Sequence, residues 1–270
     1  MDRVLQRTRA VALAIVPFLV VAFAVLYPWP GAAGRLFAWP IRPTMTAMVL
    51  GSAYLGGAYF FVRVALARRW HPVKGGFVPV GVFASLMGVA TIVHWDRFQH
   101  ARVAFWLWAG LYFTTPFLIF WVWWTNRRED SAAEGTEPLV PLPVARLVAA
   151  FGALAGLTGL FLFVVPAGAI GVWPWALTPL TARVLGAIFC LGVAGLGVLA
   201  DRRWSTARVM VEVAGVMVAL MLLAGVRAHR EFAAGNPLTW VFAAGFGGLL
   251  AALAILYLRM RSPADGSRVQ

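Results

Sequence analysis

The sequence contains a single cysteine, a single lysine and few charged residues: only 12% of its 270 residues are Asp, Glu, Lys or Arg. One cysteine excludes an intrachain disulfide and a thiolate metal cluster. Cys190 lies inside an apolar run, where we expect it to act as a small buried hydrophobe. A soluble domain carries about 25% charged residues, so this chain cannot cover itself with polar surface. The sequence therefore predicts an integral membrane protein.

Signature motifs of common enzymes are also missing. The sequence has no P-loop, no GxSxG elbow, no HExxH and no CxxCH haem attachment, and it has no room for a soluble catalytic domain. We therefore expect neither an ATP-driven nor a conventional hydrolytic enzyme. The net charge of +13 lies in short loops between apolar runs. Positive charge in such loops orients membrane segments and contacts anionic lipid head groups, so we do not expect a nucleic-acid partner.

Eight apolar runs are each close to the roughly 20 residues that a helix needs to cross a bilayer. They are approximately Ala10–Tyr27, Thr44–Val62, Phe77–Trp95, Val103–Trp124, Val144–Val165, Thr181–Ala200, Val209–Val226 and Trp240–Leu258. Several begin or end in Trp or Tyr, which is typical of helix ends at the level of the lipid head groups. The predicted fold class is an all-α membrane protein with eight transmembrane helices.

The distribution of Lys and Arg predicts the orientation. With the N-terminus inside, cytoplasmic segments hold 16 of these residues and outer segments hold 7. Because positive charge accumulates on the cytoplasmic side, both termini are predicted to be cytoplasmic. A composition rich in Arg, Ala, Gly and Val indicates a GC-rich bacterial genome. We therefore expect the bacterial cytoplasmic membrane.

Internal repetition divides the chain into two halves. Residues 1–125 and 144–260 each hold four apolar runs, and an acidic, proline-rich linker over 126–143 separates them, with a disordered tail predicted at 261–270. The linker carries Glu129, Asp130, Glu134 and Glu137. Trp39-Pro40 matches Trp173-Pro174, and Arg68-Arg69-Trp70 matches Arg202-Arg203-Trp204, in a series spaced by 134 to 136 residues. The halves are predicted to be parallel four-helix repeats, because an even number of spans preserves orientation.

A histidine followed two residues later by a carboxylate occurs at the outer end of the third helix in both halves. The first pair is His94 and Asp96, and the second is His229 and Glu231. If the two sites meet, they could hold a divalent metal, supply two axial haem ligands or relay protons. Alternatively, each pair caps a helix end and bonds neighbouring arginines or backbone. The sequence leaves these alternatives open.

Two other charged residues fall within or at the edge of a predicted span. Glu212 is a candidate for transport or for an ion pair, and we expect a pair with Arg208, or with Arg146 or Arg203 across the bundle. Arg183 enters the sixth helix from outside and is expected to extend to the head groups or to bind an anion. Glycine-rich stretches in the second and sixth helices are expected to let helices pack closely.

The segments from Trp173 to Arg183 and from His94 to Phe98 resemble multi-pass membrane proteins of GC-rich bacteria, a resemblance that extends over most of the chain. It implies a membrane location and no particular activity. The leading functional hypothesis is a small-molecule permease or a permease partner, since duplicated halves suit a pathway between them. The alternatives are a membrane redox, metal or haem protein and a structural or assembly factor with a membrane protein partner.

Overall fold

The protein is an all-helical bundle. The computed structural model describes residues 2–130 and 137–261. In that part of the chain, eight helices are long and apolar enough to cross a membrane. They are α1 (Gln6–Leu26), α2 (Thr44–Leu66), α3 (Lys74–Val93), α4 (Val103–Glu129), α5 (Leu142–Val164), α6 (Pro179–Ala200), α7 (Trp204–Arg227) and α8 (Pro237–Arg261). The predicted all-α membrane fold is confirmed at this level.

Local sequence explains where α6 begins and where α3 ends. Pro179 is the first residue of α6, where its missing N–H is harmless. The preceding Thr178 caps the helix by accepting a hydrogen bond from the backbone N–H of Thr181, whose hydroxyl accepts in return from the N–H of Thr178. The third helix ends at Val93, before its predicted end at Trp95, because the chain tightens into a 3-10 turn.

The helices form an inner group and an outer group. Neighbours in sequence pack in pairs: α1 on α2, α3 on α4, α5 on α6, and α7 on α8. The pairs from the two ends of the chain join through α2 against α7, α3 against α6, and α2 against α6. The inner group is therefore α2, α3, α6 and α7, and α8 is the least buried of the eight spans.

Glycines allow α5 and α6 to touch along their backbones. A Cβ atom added to Gly186 would lie 2.6 Å from the carbonyl oxygen of Gly159, and the reverse distance is also 2.6 Å. A Cβ on Gly152 would lie 2.5 Å from the carbonyl oxygen of Gly192. Close approach of this kind gives van der Waals contact where lipid supplies no hydrophobic drive. Cys190 is a free, buried thiol at the same interface.

The polar ends of the bundle form two faces. The face at which α1 begins and α8 ends is called the terminal face, and the opposite one the distal face. At the terminal face Asn126, which is fully buried, ties α4 to the start of α1. Its side-chain oxygen accepts from the N–H of Leu5 (3.0 Å) and from the hydroxyl of Thr8 (2.7 Å), and its amide donates to the carbonyl of Arg3 (2.9 Å).

Part of the predicted linker is helical, and two of its acidic side chains form ion pairs. Its first residues belong to α4, which extends to Glu129. The Glu129 carboxylate contacts Arg3 at 3.0 Å, and Asp130 contacts Lys74 at 2.8 Å. These acidic side chains therefore bind basic groups of the terminal face. Glu134 and the predicted disordered tail beyond Arg261 lie outside the described residues.

Candidate functional site

His94 lies just beyond the end of α3 and contacts the other half of the chain. The guanidinium of Arg183, near the start of α6, lies 2.7 Å from His94 Nε2. Because an arginine can only donate, this nitrogen of His94 must accept, and the imidazole is neutral in this contact. Arg183 was expected to extend to head groups or to bind an anion. Its described partner is instead His94, because α3 packs against α6.

The surroundings of His94 favour its neutral form. Burial lowers the pKa of His94 and the charge of Arg183 lowers it further, whereas Asp96 raises it and Arg97 lowers it by smaller amounts. The unfolded chain therefore binds a proton at higher pH than the folded chain does. The contribution of neutral His94 to stability is complete above the ordinary histidine pKa of about 6.5. It is lost as the pH falls through the lower pKa of His94 in the folded protein.

We expect the free energy of unfolding to decrease on acidification from about pH 7.5 to about pH 5.5, with part of the decrease due to His94. Thermal unfolding in mild detergent across this range measures it, and His94→Asn should show a shallower pH dependence. His229→Asn is the matched control, since that exposed ring bonds only the Val226 carbonyl among the described residues. An unchanged slope in His94→Asn would contradict the assignment.

Glu231 has a different role from His94. Its carboxylate accepts hydrogen bonds from the N–H of Thr44 (3.0 Å), the hydroxyl of Thr44 (2.5 Å) and the N–H of Met45 (2.7 Å). These are unpaired donors at the start of α2, where the helix dipole also favours a negative charge. Glu231 therefore caps a helix of the other half.

The other two predicted ligands lie at the surface of the distal face. The Asp96 carboxylate contacts Arg97 at 3.3 Å with 76% of its side chain exposed. His229 Nδ1 lies 3.1 Å from the Val226 carbonyl. Across residues 2–130 and 137–261, no three His, Cys, Asp or Glu residues come close enough to hold a metal ion. A shared metal or haem site therefore stays a prediction that these contacts do not support.

Glu212 is the centre of a charged cluster between α2 and α7, near the terminal face. Its carboxylate accepts from Arg208 (2.8 Å) and from the hydroxyl of Tyr59 (2.7 Å), and it also contacts Arg63. The expected pair with Arg208 is present. The partner across the bundle is Arg63, not Arg146 or Arg203, because α7 packs against α2. The cluster holds two guanidinium groups and one carboxylate.

A hydrogen-bonded chain at the terminal face was missed in the sequence. His71 Nδ1 contacts the Asp2 carboxylate, and His71 Nε2 lies 3.2 Å from the hydroxyl of Ser205. This order of groups resembles a Ser-His-Asp triad. However, the Ser205 hydroxyl lies 2.6 Å from Glu137, a stronger acceptor for its proton. These hydrogen bonds therefore hold the two halves of the protein together. The signal was present, since His71 and Ser205 each follow an Arg-Arg-Trp sequence.

An apolar cavity of about 720 Å³ lies inside the bundle. Side chains from all eight helices line it, and the described lining residues include no Asp, Glu, Lys, Arg or His. Its volume falls within the range of about 300–1,000 Å³ that is usual for ligand sites. The site residues predicted from the sequence are not part of its wall.

The cavity wall includes exposed side chains of α5 and α8, which indicates an opening towards the side of the bundle. Phe151 and Leu154 of α5 and Val241 of α8 line it and are 48%, 61% and 61% exposed. At the other end the wall is formed by Tyr54 of α2 and Tyr112 of α4, which are 2% and 3% exposed. In a membrane, the open end would face lipid acyl chains and the closed end would lie in the protein interior. The arrangement can admit a molecule dissolved in the bilayer.

Comparison of the chain with models of known protein families, with curated proteins and with solved structures finds no match.

Proposed function

We propose that this chain is a multi-pass protein of a bacterial cytoplasmic membrane that takes a long apolar molecule from the bilayer into its cavity. It acts as a permease, or as the partner of a permease, for molecules of this class. The observation that carries the proposal is the cavity of about 720 Å³ with an apolar wall and a lateral opening. A wall without charged groups would not compensate for the desolvation of a polar solute.

The proposal includes two parallel four-helix repeats around the cavity. Equivalent backbone contacts support this arrangement. The N–H of Val4 donates to the carbonyl of Arg68, and the N–H of Val140 donates to that of Arg202. Likewise, Gln99 donates to Ala38, and Ala233 donates to Pro174. Each residue of a contact in the first half lies 134 to 136 residues before its counterpart in the second half. The packing of α2 against α7 and of α3 against α6 has the reciprocity expected for such repeats.

Aromatic contacts refine the alignment of the proposed repeats. The ring of Trp39 packs on Phe98 and Trp108, and the ring of Trp175 packs on Phe232 and Phe242. Trp39 therefore corresponds in its surroundings to Trp175, two residues after the tryptophan with which the sequence pattern aligns it.

The terminal face is proposed to be cytoplasmic, because its loops carry the excess of positive charge.

Filling the cavity should remove the bound molecule. Gly245 of α8 lines the cavity, and a Cβ atom there would meet nothing within 4 Å, so Gly245→Trp projects an indole into open space. We expect the purified protein in native-lipid nanodiscs to retain about one apolar molecule, and Gly245→Trp to reduce its amount about tenfold, equivalent to about 1.4 kcal/mol. Solvent extraction and mass spectrometry measure this.

Gly247→Trp is the matched control. Gly247 also has open space around its Cβ position, but it lies two residues on in the same helix, about 200° around the axis, and does not line the cavity. Equal retention in both variants, or no molecule enriched over empty nanodiscs, would refute the proposal. Co-purification of one stoichiometric protein with an empty cavity would favour the assembly-factor alternative.

A further inference from the structure

Hydroxyl groups lie at the closed end of the cavity, in a mostly apolar wall whose other polar groups include the Thr158 hydroxyl and the Trp173 indole N–H. The hydroxyls of Tyr54 and Tyr112 lie 2.9 Å apart, and both side chains line the cavity. The two residues lie in the central thirds of α2 and α4, so their hydroxyls are at the depth of the hydrocarbon core. Water is scarce at this depth, and polar groups there need protein or ligand partners.

The tyrosine pair has one hydrogen more than it uses. Two hydroxyls supply two hydrogens, and their mutual contact takes up only one of them. The described residues provide no further acceptor for either phenol. A buried donor without an acceptor costs about 1–3 kcal/mol, so such groups are rare unless something else binds them. The pair therefore presents a free donor to whatever occupies the cavity.

Thr115, one turn after Tyr112, adds a third hydroxyl. It lines the cavity and is only 6% exposed. Thr91, Thr114 and Thr125 each donate to the carbonyl four residues earlier, which is the usual bond for threonine within a helix. Thr115 makes no such bond and has no other hydrogen-bond partner among the described residues. Its hydroxyl is free to bind a ligand in the cavity.

We infer that the molecule in the cavity is a neutral lipid whose head carries a carbonyl or hydroxyl oxygen, and that this oxygen accepts a hydrogen bond from the Tyr54–Tyr112 pair. The inference rests on the proposed function and specifies its ligand. Phospholipids and fatty acid anions are disfavoured, because no cationic side chain among the described residues lines the cavity and an unpaired charge at this depth is costly. A quinone or a long-chain alcohol has the required chemistry.

The test compares two labelled probes that differ in oxygen content. One is a benzoquinone with a decyl chain, and the other is pentadecane, a hydrocarbon of similar length. Each is equilibrated between nanodiscs of synthetic phosphatidylcholine with and without the protein. The double variant Tyr54→Phe/Tyr112→Phe removes both hydroxyls, whereas a single variant would leave one donor. Replacing both partners of a hydrogen bond with apolar groups is nearly neutral for folding.

We expect the wild type to bind the quinone more tightly than pentadecane. The double variant should bind the quinone about fivefold more weakly, the effect of one lost hydrogen bond, and pentadecane unchanged. The control is Tyr27→Phe, which removes a hydroxyl that binds the Leu220 carbonyl outside the cavity. Unchanged quinone affinity in the double variant would overturn the inference alone. Failure of the wild type to bind either probe would overturn the proposed function as well.

Discussion

Replacing Glu212 with glutamine should lower the free energy of unfolding by about 3 kcal/mol, at the lower end of the range for breaking a buried ion pair. The Glu212 side chain is 11% exposed, and its carboxylate contacts both Arg63 and Arg208. Glutamine keeps the size of the side chain and removes its charge. Two guanidinium groups would then lie close together near the terminal-face ends of two membrane spans without the carboxylate between them, and an unpaired charge within a span is costly.

Titration with a denaturing detergent, started in mild micelles, measures the change for Glu212→Gln. The matched control is Glu129→Gln, whose arginine partner is 61% exposed, because surface ion pairs contribute at most about 1 kcal/mol. A further variant, Arg63→Met together with Glu212→Gln, should recover part of the loss because one unpaired charge is removed with its partner. Equal small losses in both glutamine variants would show that the cluster is effectively solvated.

Replacing Gly186 with alanine should cost up to about 3 kcal/mol, the upper end of the range for overpacking. The new Cβ would lie 2.6 Å from the Gly159 carbonyl oxygen and 2.9 Å from the backbone nitrogen of Phe163. Both atoms belong to the backbone of α5, so no side-chain rotation can relieve the contact and the two helices must separate. The same detergent titration measures the loss of stability.

Gly215→Ala is the control for the intrinsic effect of alanine in a helix. A Cβ on Gly215 in α7 would meet nothing within 4 Å. Alanine is favoured over glycine in helices by up to about 1 kcal/mol, so this variant should be neutral or slightly stabilised. A similar result for Gly186→Ala would mean that α5 and α6 are not held together at their backbones.

Helix positions could be predicted from the sequence because they depend on local properties. The length of the apolar runs was enough to predict all eight spans. The same local reasoning paired Glu212 with Arg208, which lies one turn earlier in the same helix. The contact with Arg63 could not be predicted in this way, because it depends on which helices are neighbours. Lipid and protein interiors are both apolar, so the sequence periodicity that identifies a buried face in a soluble helix is weak here.

The site was harder to predict for a related reason. The repeated His-x-acid pattern was visible, but the turns after α3 and α7 direct equivalent side chains differently: Glu231 binds the start of α2, and Asp96 faces solvent. Equivalent positions in a sequence therefore need not have equivalent contacts. The cavity depends on how all eight helices pack, because each of them contributes to its wall. No single residue type marks such a space in a chain where most spans are apolar throughout.

The hydrogen bonds between Asn126 and the start of α1 determine the order in which contacts can form during biosynthesis. Leu5 leaves the ribosome 121 residues before Asn126 does. At a synthesis rate of about 5–20 residues per second, this interval is about 6–24 s. Until α4 has entered the membrane, the N–H of Leu5 must bind water at the membrane surface, and α1 is held mainly by α2. Closure of the first half at this face is therefore a late step, completed only when its fourth helix has been made.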